Sequence, residues 1–246
     1  MELDRIIAVR TDKAVYHDGD CAVKVFGSDF CKAKIFREAF YQTQLEATSL
    51  NVPPVEKICQ IDDKWAIFSR YIRGKTLEQE MLETPEDMEK HIGKLVKVQL
   101  KIHEAISPDA NFPNMKKELL QRLTCARLPE ETICRLKTVL ETLPEERRLC
   151  HGDFNPSNII YTAKGEAYIL DWARVCMGNP AADAAETYFT LLLEYSKEIA
   201  DTYFNRYCTE SGIGAFEITQ WFPIIAACCT AKADQEQMSL LLAYIK

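Results

Sequence analysis

Alternating apolar and polar side chains open the chain and predict a series of short β-strands. The predicted strands cover residues 5–10, 13–17, 21–26, 55–61 and 65–71. Asp18-Gly19-Asp20 and Asp62-Asp63 indicate tight turns, because these residue types adopt turn conformations readily. Between the third and fourth strands, residues 31–50 have a helical pattern that stops at Asn51 and the Pro53-Pro54 pair. The first 71 residues therefore predict a small, mainly antiparallel sheet with one inserted helix.

From Gly74 onward, apolar positions recur with the 3.6-residue period of helices that pack against a core. The clearest case is 87–105, where Ile92, Leu95 and Val96 fall on one face. Further helices are predicted at 115–127, 131–143, 184–195, 197–211, 217–231 and 233–245, and a β-hairpin at 158–162 and 167–171. The pattern indicates an α+β chain of two lobes. A β-rich lobe, residues 1–68, leads through a hinge at 69–76 into a mainly helical lobe, residues 77–246.

Composition and charge narrow the classes of function. The 246-residue chain has a net charge of −7, of which −6 falls in residues 150–246, so the basic patch that nucleic-acid binding needs is not expected. The longest apolar run has nine residues, whereas a membrane helix needs roughly 20, and the charged N-terminus has no apolar signal core. Ten irregularly spaced cysteines without a CxxC pair are expected to be reduced. We therefore expect a cytoplasmic monomer without nucleic-acid or membrane partners.

The residues richest in chemistry are the segment His151-Gly152-Asp153-Phe154-Asn155-Pro156-Ser157-Asn158 and Asp171. If the hairpin closes around Lys164-Gly165, Asn158 lies directly opposite Asp171. Opposed Cβ atoms are about 4.5–5.5 Å apart, which suits two oxygen ligands of one Mg²⁺ ion. Asp153 lies on a loop five residues before Asn158, so it can face the same point and orient an acceptor hydroxyl. The sequence thus predicts Asn158 and Asp171 as metal ligands and Asp153 as the catalytic carboxylate of a phosphoryl transfer.

The block His151-Gly152-Asp153-x4-Asn158 with Asp171-Trp172 resembles the catalytic and metal-binding loops of the aminoglycoside phosphotransferase and choline kinase-like family. The resemblance implies a two-lobed protein-kinase-like fold, and it extends over nearly the whole chain. Ala22-Val23-Lys24 resembles the strand-three lysine motif, and Arg37-Glu38-Ala39 resembles the helix with its pairing glutamate. Tyr71-Ile72-Arg73-Gly74 resembles the interlobe hinge and the first residues after it.

The resemblance also implies ATP as the phosphoryl donor and Mg²⁺ as the metal. Lys24 shares a strand face with Ala22, so its ammonium can reach the phosphates of a nucleotide whose adenine lies against the small residue. Glu38 is the preferred ion-pair partner of Lys24, and Glu46, two turns further along the same helix, is the alternative. The remaining predicted nucleotide contacts belong to the hinge and to the loop after the first strand: Arg70, Ile72 and Thr11.

Three positions depart from the family pattern. The loop Arg10-Thr11-Asp12-Lys13 contains no glycine, so its backbone amides can approach phosphates only in part, and GTP stays open as the donor. Thr11 can stand in for the serine-rich loop of some relatives. Arg70 occupies a hinge position that is commonly acidic. Asn179 replaces an aspartate in Gly178-Asn179-Pro180-Ala181-Ala182-Asp183, which resembles the segment after the metal aspartate.

These features favour a kinase that transfers the γ-phosphate of ATP to a hydroxyl of a small molecule of aminoglycoside, choline or amino-alcohol type. A protein kinase is disfavoured, because only 11 residues separate Asp171 from Asp183, too few for an activation segment. The alternative is a catalytically inactive pseudokinase or a nucleotide- or metabolite-binding module, although the chain keeps the residues that inactive relatives usually lose.

The uneven charge favours a cationic acceptor held by carboxylates of the last 97 residues, although a merely solvated acidic face explains the charge equally well. The candidate contacts are Asp183, Glu186, Glu194, Asp234 and Glu236. Asp183 is also predicted to begin a capping box with Glu186 and to brace the catalytic loop. His103 and His151 are expected to be structural hydrogen-bonding residues.

Overall fold

Residues 5–9, 12–106 and 111–245 are described by the computed structural model. They divide into two units. Unit 1 comprises the described residues of Met1–Glu80, together with Ile106 and Pro156–Arg174, and unit 2 comprises the rest. This division differs from the predicted lobes in residues 156–174, which group with the N-terminal strands. Among the helices in the described ranges, none combines the length and apolar character that a bilayer crossing requires.

A five-stranded antiparallel sheet is the frame of unit 1, in the order β1-β2-β3-β5-β4, with strands numbered along the chain. The strands are β1 Arg5–Val9, β2 Lys13–Asp18, β3 Cys21–Phe26, β4 Val55–Ile61 and β5 Lys64–Arg70. Gly19 lies in the turn between β2 and β3, and Asp62 and Asp63 form the turn between β4 and β5. All three have the positive φ angles that two-residue hairpin turns use. The predicted strands agree within one residue, except that Arg10 lies outside the described residues.

Helix α1, Lys32–Leu45, packs against one face of this sheet. Its Ile35 and Ala39 share a buried cluster with Phe26 and Ile67 of the strands. The opposite face has its own cluster of Val23, Ile61, Ala66 and Phe68. Because Lys24 pairs with Ile67 in the strand register, Lys24 lies on the α1 face. The helix ends before the predicted residue 50, where the Thr48 hydroxyl donates to the Leu45 carbonyl at 2.7 Å.

A second sheet of unit 1 has three short strands in the order β6-β8-β9. They are β6 Lys75–Thr76, β8 Ile159–Tyr161 and β9 Ala167–Ile169, and 3-10 helices at Pro156–Asn158 and Trp172–Arg174 flank the last two. Ile159 pairs with Ile169, one residue away from the predicted register. The prediction that Asn158 faces Asp171 is therefore wrong. Instead, the Leu170 amide donates to the Asn158 carbonyl at 2.8 Å.

The length of the hairpin loop explains the one-residue shift in register. A two-residue loop at Lys164-Gly165 was expected, but the loop has three residues, because the Thr162 amide donates to the Glu166 carbonyl at 3.0 Å. Gly165 adopts a φ of 79°, and its amide donates to the Thr162 carbonyl at 2.8 Å. A turn that ends with glycine in the left-handed region is the usual three-residue hairpin. One extra loop residue changes the partner of every residue along both strands.

Helices make up most of unit 2. Helix α2, Leu77–Glu83, starts in unit 1, and the others are α3 Met88–Glu104, α4 Met115–Leu123, α5 Glu130–Thr142, α6 Pro180–Glu194, α7 Lys197–Ser211, α8 Ala215–Thr219, α9 Phe222–Cys229 and α10 Gln235–Leu242. A 3-10 turn at Pro85–Asp87 precedes α3. Strands β7 Arg148–Cys150 and β10 Cys176–Gly178 pair antiparallel. Helix α2 and strands β6, β7 and β10 are not predicted by the sequence pattern.

Several predicted helices of unit 2 have other bounds, and two of these differences have a clear physical reason. The predicted helix 217–231 is divided into α8 and α9, because Pro223 has no amide hydrogen to continue a helix and instead lies in the first turn of a new one. The predicted helix 184–195 begins earlier, at Pro180, where the Asn179 side chain accepts from the Ala181 amide at 2.8 Å. Asn179 is thus the N-cap, and the prediction that Asp183 begins a capping box is wrong.

Candidate active site

Lys24 lies at the centre of a cluster of charged side chains in unit 1. Its ammonium group contacts the carboxylate of Glu38 on α1 and donates to Asp171 Oδ1 at 2.9 Å. Lys13, the first residue of β2, donates to the other oxygen, Asp171 Oδ2, at 2.8 Å. Because Val15 pairs with Lys24, strand alternation puts Lys13 on the same sheet face as Lys24. One carboxylate thus balances two ammonium groups.

The predicted ion pair between Lys24 and Glu38 is present. The alternative partner, Glu46, lies at the end of α1, where its Oε1 accepts from the Val55 amide at 2.8 Å. Glu38 is buried on the side of α1 that packs against the sheet, one helical turn from Ile35. The helix therefore holds this carboxylate under the strand that carries Lys24.

Burial and charge act against each other in this cluster. The side chains of Lys24, Glu38 and Asp171 are 15%, 5% and 22% exposed. Burial opposes the charge of Lys24, but Asp171 and Glu38 raise its pKa above the ordinary value. Burial also opposes ionisation of Asp171, yet Lys24 and Lys13 hold its pKa well below the usual range. Burial raises the pKa of Glu38, although Lys24 counteracts this effect. Asp171 is therefore ionised at neutral pH.

The backbone of Asp171 has a φ of 58°, in the left-handed region that non-glycine residues rarely adopt. The next residue, Trp172, is fully buried, and its indole Nε1 donates to the Ile169 carbonyl at 3.1 Å. The indole thus bridges from the 3-10 helix back to the end of β9. This anchor stabilises the sharp change of backbone direction at Asp171 between the two elements.

Asn158 and Asp171, the two predicted metal ligands, both belong to unit 1. Asn158 is buried at the end of the 3-10 helix before β8, and its backbone pairs with Leu170, the residue before Asp171. An ionised carboxylate and an amide oxygen are hard donors of the kind that Mg²⁺ prefers. A carboxylate that attracts two ammonium groups also supplies the negative charge that a divalent cation needs. These residues therefore fit a magnesium site by their chemistry.

The other predicted nucleotide contacts are less closely grouped. Arg70 lies on the sheet face opposite to Lys24, because it pairs with Cys21, and its guanidinium contacts Glu56 at 3.5 Å. The structure therefore does not bring the Arg70 side chain to Lys24. Ile72 is buried just after β5. Thr11 lies outside the described residues.

Asp153, the predicted catalytic carboxylate, lies in unit 2 on the loop after β7. Gly152, just before it, has a φ of 74°, a conformation that glycine adopts without strain. The Asp153 amide donates to His151 Nδ1 at 3.3 Å, and its carbonyl accepts from Asn155 Nδ2 at 3.0 Å. His151 and Phe154 are buried, whereas Asp153 is half-buried. The loop therefore forms a tight turn that leaves Asp153 partly exposed.

A buried hydrogen-bond network holds this loop. The Gly152 amide donates to Asp183 Oδ1 at 2.8 Å, and Asp183 Oδ2 accepts from Gln99 at 3.1 Å and contacts His103 Nε2 at 2.9 Å. Two tyrosine hydroxyls extend the network, Tyr203 to Gln99 and Tyr207 to His103. Although burial opposes ionisation, the hydrogen bonds from His103, Gly152 and Gln99 lower the pKa of Asp183 to about 2. The predicted bracing role of Asp183 and the structural role of His103 are confirmed.

Most of the acidic residues predicted to hold a cationic acceptor have intramolecular partners. Glu186 forms an ion pair with Arg122, and Asp234 accepts from the Gln237 amide at 2.8 Å as the N-cap of α10. Asp183 belongs to the loop brace. Glu194 and Glu236 are exposed. Asp183, Glu186 and Asp234 thus each hold another part of unit 2.

Lys13 is the site residue that the sequence analysis missed. A signal for it was present in the chain. The turn Asp18-Gly19-Asp20 sets the hairpin register, and in that register Lys13 faces Phe26, on the same side as Lys24. Because Lys13 closes the glycine-free loop, the sequence pattern alone groups it with that loop.

Comparison with known proteins identifies the family. A family model described as the phosphotransferase enzyme family matches residues 32–219. No curated protein matches the sequence significantly. Among solved structures, a thermostable mutant of aminoglycoside phosphotransferase APH(4)-Ia in ternary complex with AMP-PNP and hygromycin B superposes with a TM-score of 0.69 and 15% identity, over 98% of this chain and 90% of that one.

Two further solved structures have similar scores. Aminoglycoside-3'-phosphotransferase of type VIII has a TM-score of 0.65 at 14% identity, over 98% of this chain and 93% of that one. Choline kinase LicA from Streptococcus pneumoniae has a TM-score of 0.63 at 15% identity, over 100% of this chain and 93% of that one. The predicted α+β, protein-kinase-like fold class is confirmed by these likenesses. Since the family model covers most of the sequence, the chain belongs to the phosphotransferase enzyme family.

Proposed function

We propose that the protein is a Mg²⁺-dependent kinase that transfers the γ-phosphoryl group of ATP to a hydroxyl of a small molecule. The observation that carries the proposal is the cluster of Lys24, Glu38 and Asp171, in which one carboxylate positions a buried lysine and another attracts cations. Phosphoryl transfer depends on positioned charges around the phosphates rather than on a covalent step by the protein. When bound, Mg²⁺ would neutralise charge on the β- and γ-phosphates, with Asn158 and Asp171 as its ligands.

Each residue then has a separate task. Lys24 binds nucleotide phosphates, and Glu38 keeps its ammonium group in place. Asp153 orients the acceptor hydroxyl and accepts its proton, while the Asp183 network keeps the loop of Asp153 in one conformation. The aminoglycoside phosphotransferase crystallised with AMP-PNP supports the use of a nucleotide donor. ATP is the proposed donor, and GTP is the alternative to be compared with it.

The proposed acceptor is a small hydroxylated molecule. Support comes from the similar structures, which are named as aminoglycoside phosphotransferases and a choline kinase. A cationic acceptor stays part of the proposal, but the partners of Asp183, Glu186 and Asp234 remove three of the carboxylates that first supported it. Glu236, which is exposed, is a candidate for contact with such an acceptor.

An acceptor screen tests the function. The protein is incubated with Mg²⁺ and either ATP or GTP, and formation of the nucleoside diphosphate is followed with pooled aminoglycosides, choline, amino alcohols and sugars. We expect one pool to stimulate turnover, and we expect EDTA or the Asp153→Asn variant to remove the stimulation. Nucleotide binding without turnover in any pool would contradict the proposal and favour a binding module. Failure to bind either nucleotide would exclude the kinase and leave only a metabolite-binding module.

A further inference from the structure

Both carboxylate oxygens of Asp171 accept hydrogen bonds from lysines. Lys24 donates to Oδ1 at 2.9 Å and Lys13 to Oδ2 at 2.8 Å. The two lysines are held differently, because Lys24 also contacts Glu38, whereas Asp171 is the only carboxylate that Lys13 contacts within the described ranges. A metal ion that binds Asp171 therefore has to displace an ammonium group. Of the two lysines, Lys13 has fewer carboxylate partners and is the easier to displace.

The position of Lys13 follows from the loop that precedes β2. The base of that loop is tied to the end of β3, because the Gly27 amide donates to the Asp12 carbonyl at 2.9 Å. Strand alternation then directs Lys13 to the face of Lys24. Its side chain is 21% exposed, so it can move without opening a packed core. A lysine ammonium on a flexible stem can pass readily from one anion to another.

We propose that Lys13 is a phosphate-binding residue that exchanges between Asp171 and the nucleotide. The inference rests on the proposed function, since it assumes a nucleotide at Lys24. The loop Arg10-Thr11-Asp12-Lys13 contains no glycine, so its backbone amides can approach phosphates only in part, and the ammonium of Lys13 supplies positive charge in their place. The metal ligand Asp171 lies beside Lys13, so the terminal phosphates are the part of the nucleotide that Lys13 would contact.

The exchange couples nucleotide and metal binding. A phosphate that attracts Lys13 frees Asp171 Oδ2 for Mg²⁺, whereas Mg²⁺ alone has to compete with two ammonium groups for the same carboxylate. Each ligand therefore favours the binding of the other, as any coupling of two sites requires. Removing Lys13 should then have opposite effects on two affinities: the nucleotide binds more weakly, and a divalent cation alone binds more tightly.

The test compares wild type with Lys13→Gln and with a matched control, Lys64→Gln, which removes an exposed lysine at the start of β5. Calorimetry measures the affinity for AMP-PNP with Mg²⁺, and electron paramagnetic resonance measures the affinity for Mn²⁺ alone. For Lys13→Gln we expect AMP-PNP to bind about 10-fold more weakly, the typical effect of losing a hydrogen bond to a charged group. We expect ADP to lose less affinity, and Mn²⁺ alone to bind several-fold more tightly. Lys64→Gln should change neither affinity.

The outcomes are distinct. AMP-PNP affinity equal to wild type in Lys13→Gln overturns the inference, and so does a lower melting temperature with both affinities unchanged, which identifies a purely structural ion pair. Recovery of AMP-PNP affinity in Lys13→Arg supports it. If wild type binds AMP-PNP but no acceptor is phosphorylated, the proposed function fails while these measurements still decide the role of Lys13. If wild type binds no nucleotide, both proposals fall.

Discussion

Asp171 in unit 1 and Asp183 in unit 2 are two aspartates whose pKa values lie below the ordinary range for different reasons. Asp171 is 22% exposed and is held by the ammonium groups of Lys13 and Lys24. Asp183 is fully buried, and its partners are the Gly152 amide, Gln99 and His103. Burial opposes ionisation of both, and hydrogen bonds or charges outweigh it.

The kind of partner distinguishes their roles. Lysine side chains have flexible stems, so the partners of Asp171 can turn to another anion and leave its oxygens to a metal ion. A backbone amide and two side chains that are packed in a core cannot turn to another partner. Asp183 therefore keeps the same hydrogen-bond partners and acts as a brace. A lowered pKa alone therefore does not identify a functional aspartate. Exposure and the mobility of the partners decide between a ligand and a brace.

The largest effect, on turnover, should come from Asp153, which lies on the loop that the Asp183 network holds. Asp153→Asn keeps the size of the side chain and removes its charge. We expect acceptor-dependent turnover to fall by about 10²–10⁴-fold, the usual contribution of a general base. AMP-PNP affinity should stay within about a factor of two, because Asp153 has no part in nucleotide binding in the proposed mechanism. Steady-state kinetics and calorimetry measure the two quantities. A variant that keeps more than about a tenth of wild-type turnover would contradict the catalytic role.

The second prediction compares the two aspartates directly. Asp183→Ala leaves the Gly152 amide and the Gln99 and His103 side chains buried without their acceptor, so we expect the free energy of unfolding to fall by about 3 kcal/mol. Asp171→Ala should cost less, about 1–2 kcal/mol, because Lys13 can turn to solvent and Lys24 keeps Glu38.

Urea unfolding measures both costs. In addition, Asp171→Ala should lose Mg²⁺-dependent nucleotide binding, which calorimetry detects in the folded variant. Equal losses of stability in the two variants would contradict the distinction between Asp171, whose partners can exchange, and Asp183, whose partners are fixed.

Much of unit 1 could be predicted from the sequence because its signals are local. Alternation of side chains and turn residues such as Asp18-Gly19-Asp20 and Asp62-Asp63 define five strands within a residue or so. The pair of Lys24 and Glu38 is implied by the family resemblance of the segments around these two residues, and the structure contains it. The strands, in contrast, depend on neighbours along the chain.

The features that the sequence analysis missed depend on backbone conformation or on distant partners. The register of the second hairpin depends on the left-handed conformation of Gly165, which adds a residue to the loop. Lys13 and Asp171 are 158 residues apart, and Asp183 meets Gln99 across 84 residues. No periodicity reports such contacts, because they form only when separate elements pack together.

The third prediction concerns the pH dependence of stability. The pKa of Asp183 is about 2 in the folded protein, against an ordinary value of 3.8. A lowered folded pKa adds stability that is complete above the unfolded pKa and is lost as the pH falls through the folded pKa. At about 1.4 kcal/mol per pKa unit, the contribution at neutral pH is about 2 kcal/mol.

The matched variant is Asp183→Asn, which lacks the charge. The stability difference between wild type and this variant should shrink by about 2 kcal/mol as the pH falls from about 5 towards 2. Urea unfolding at several pH values measures it. A difference that stays constant over this range would show that the charge of Asp183 does not stabilise the loop network.

The smallest expected effect distinguishes Glu38 from Glu46, the two glutamates that the sequence suggests as partners of Lys24. In Glu38→Gln, Lys24 loses one of its two carboxylate partners, so its ammonium is less well positioned, and we expect AMP-PNP to bind a few-fold more weakly, about 1 kcal/mol. Glu46→Gln is the control, because the new side-chain amide would still offer an oxygen to the Val55 amide and lies away from Lys24. Its AMP-PNP affinity should equal that of wild type, and its free energy of unfolding should fall by no more than about 0.5 kcal/mol. Calorimetry decides the comparison. Equal affinities in the two variants would mean that the Glu38 contact is dispensable for nucleotide binding, and that Asp171 alone is enough to position Lys24.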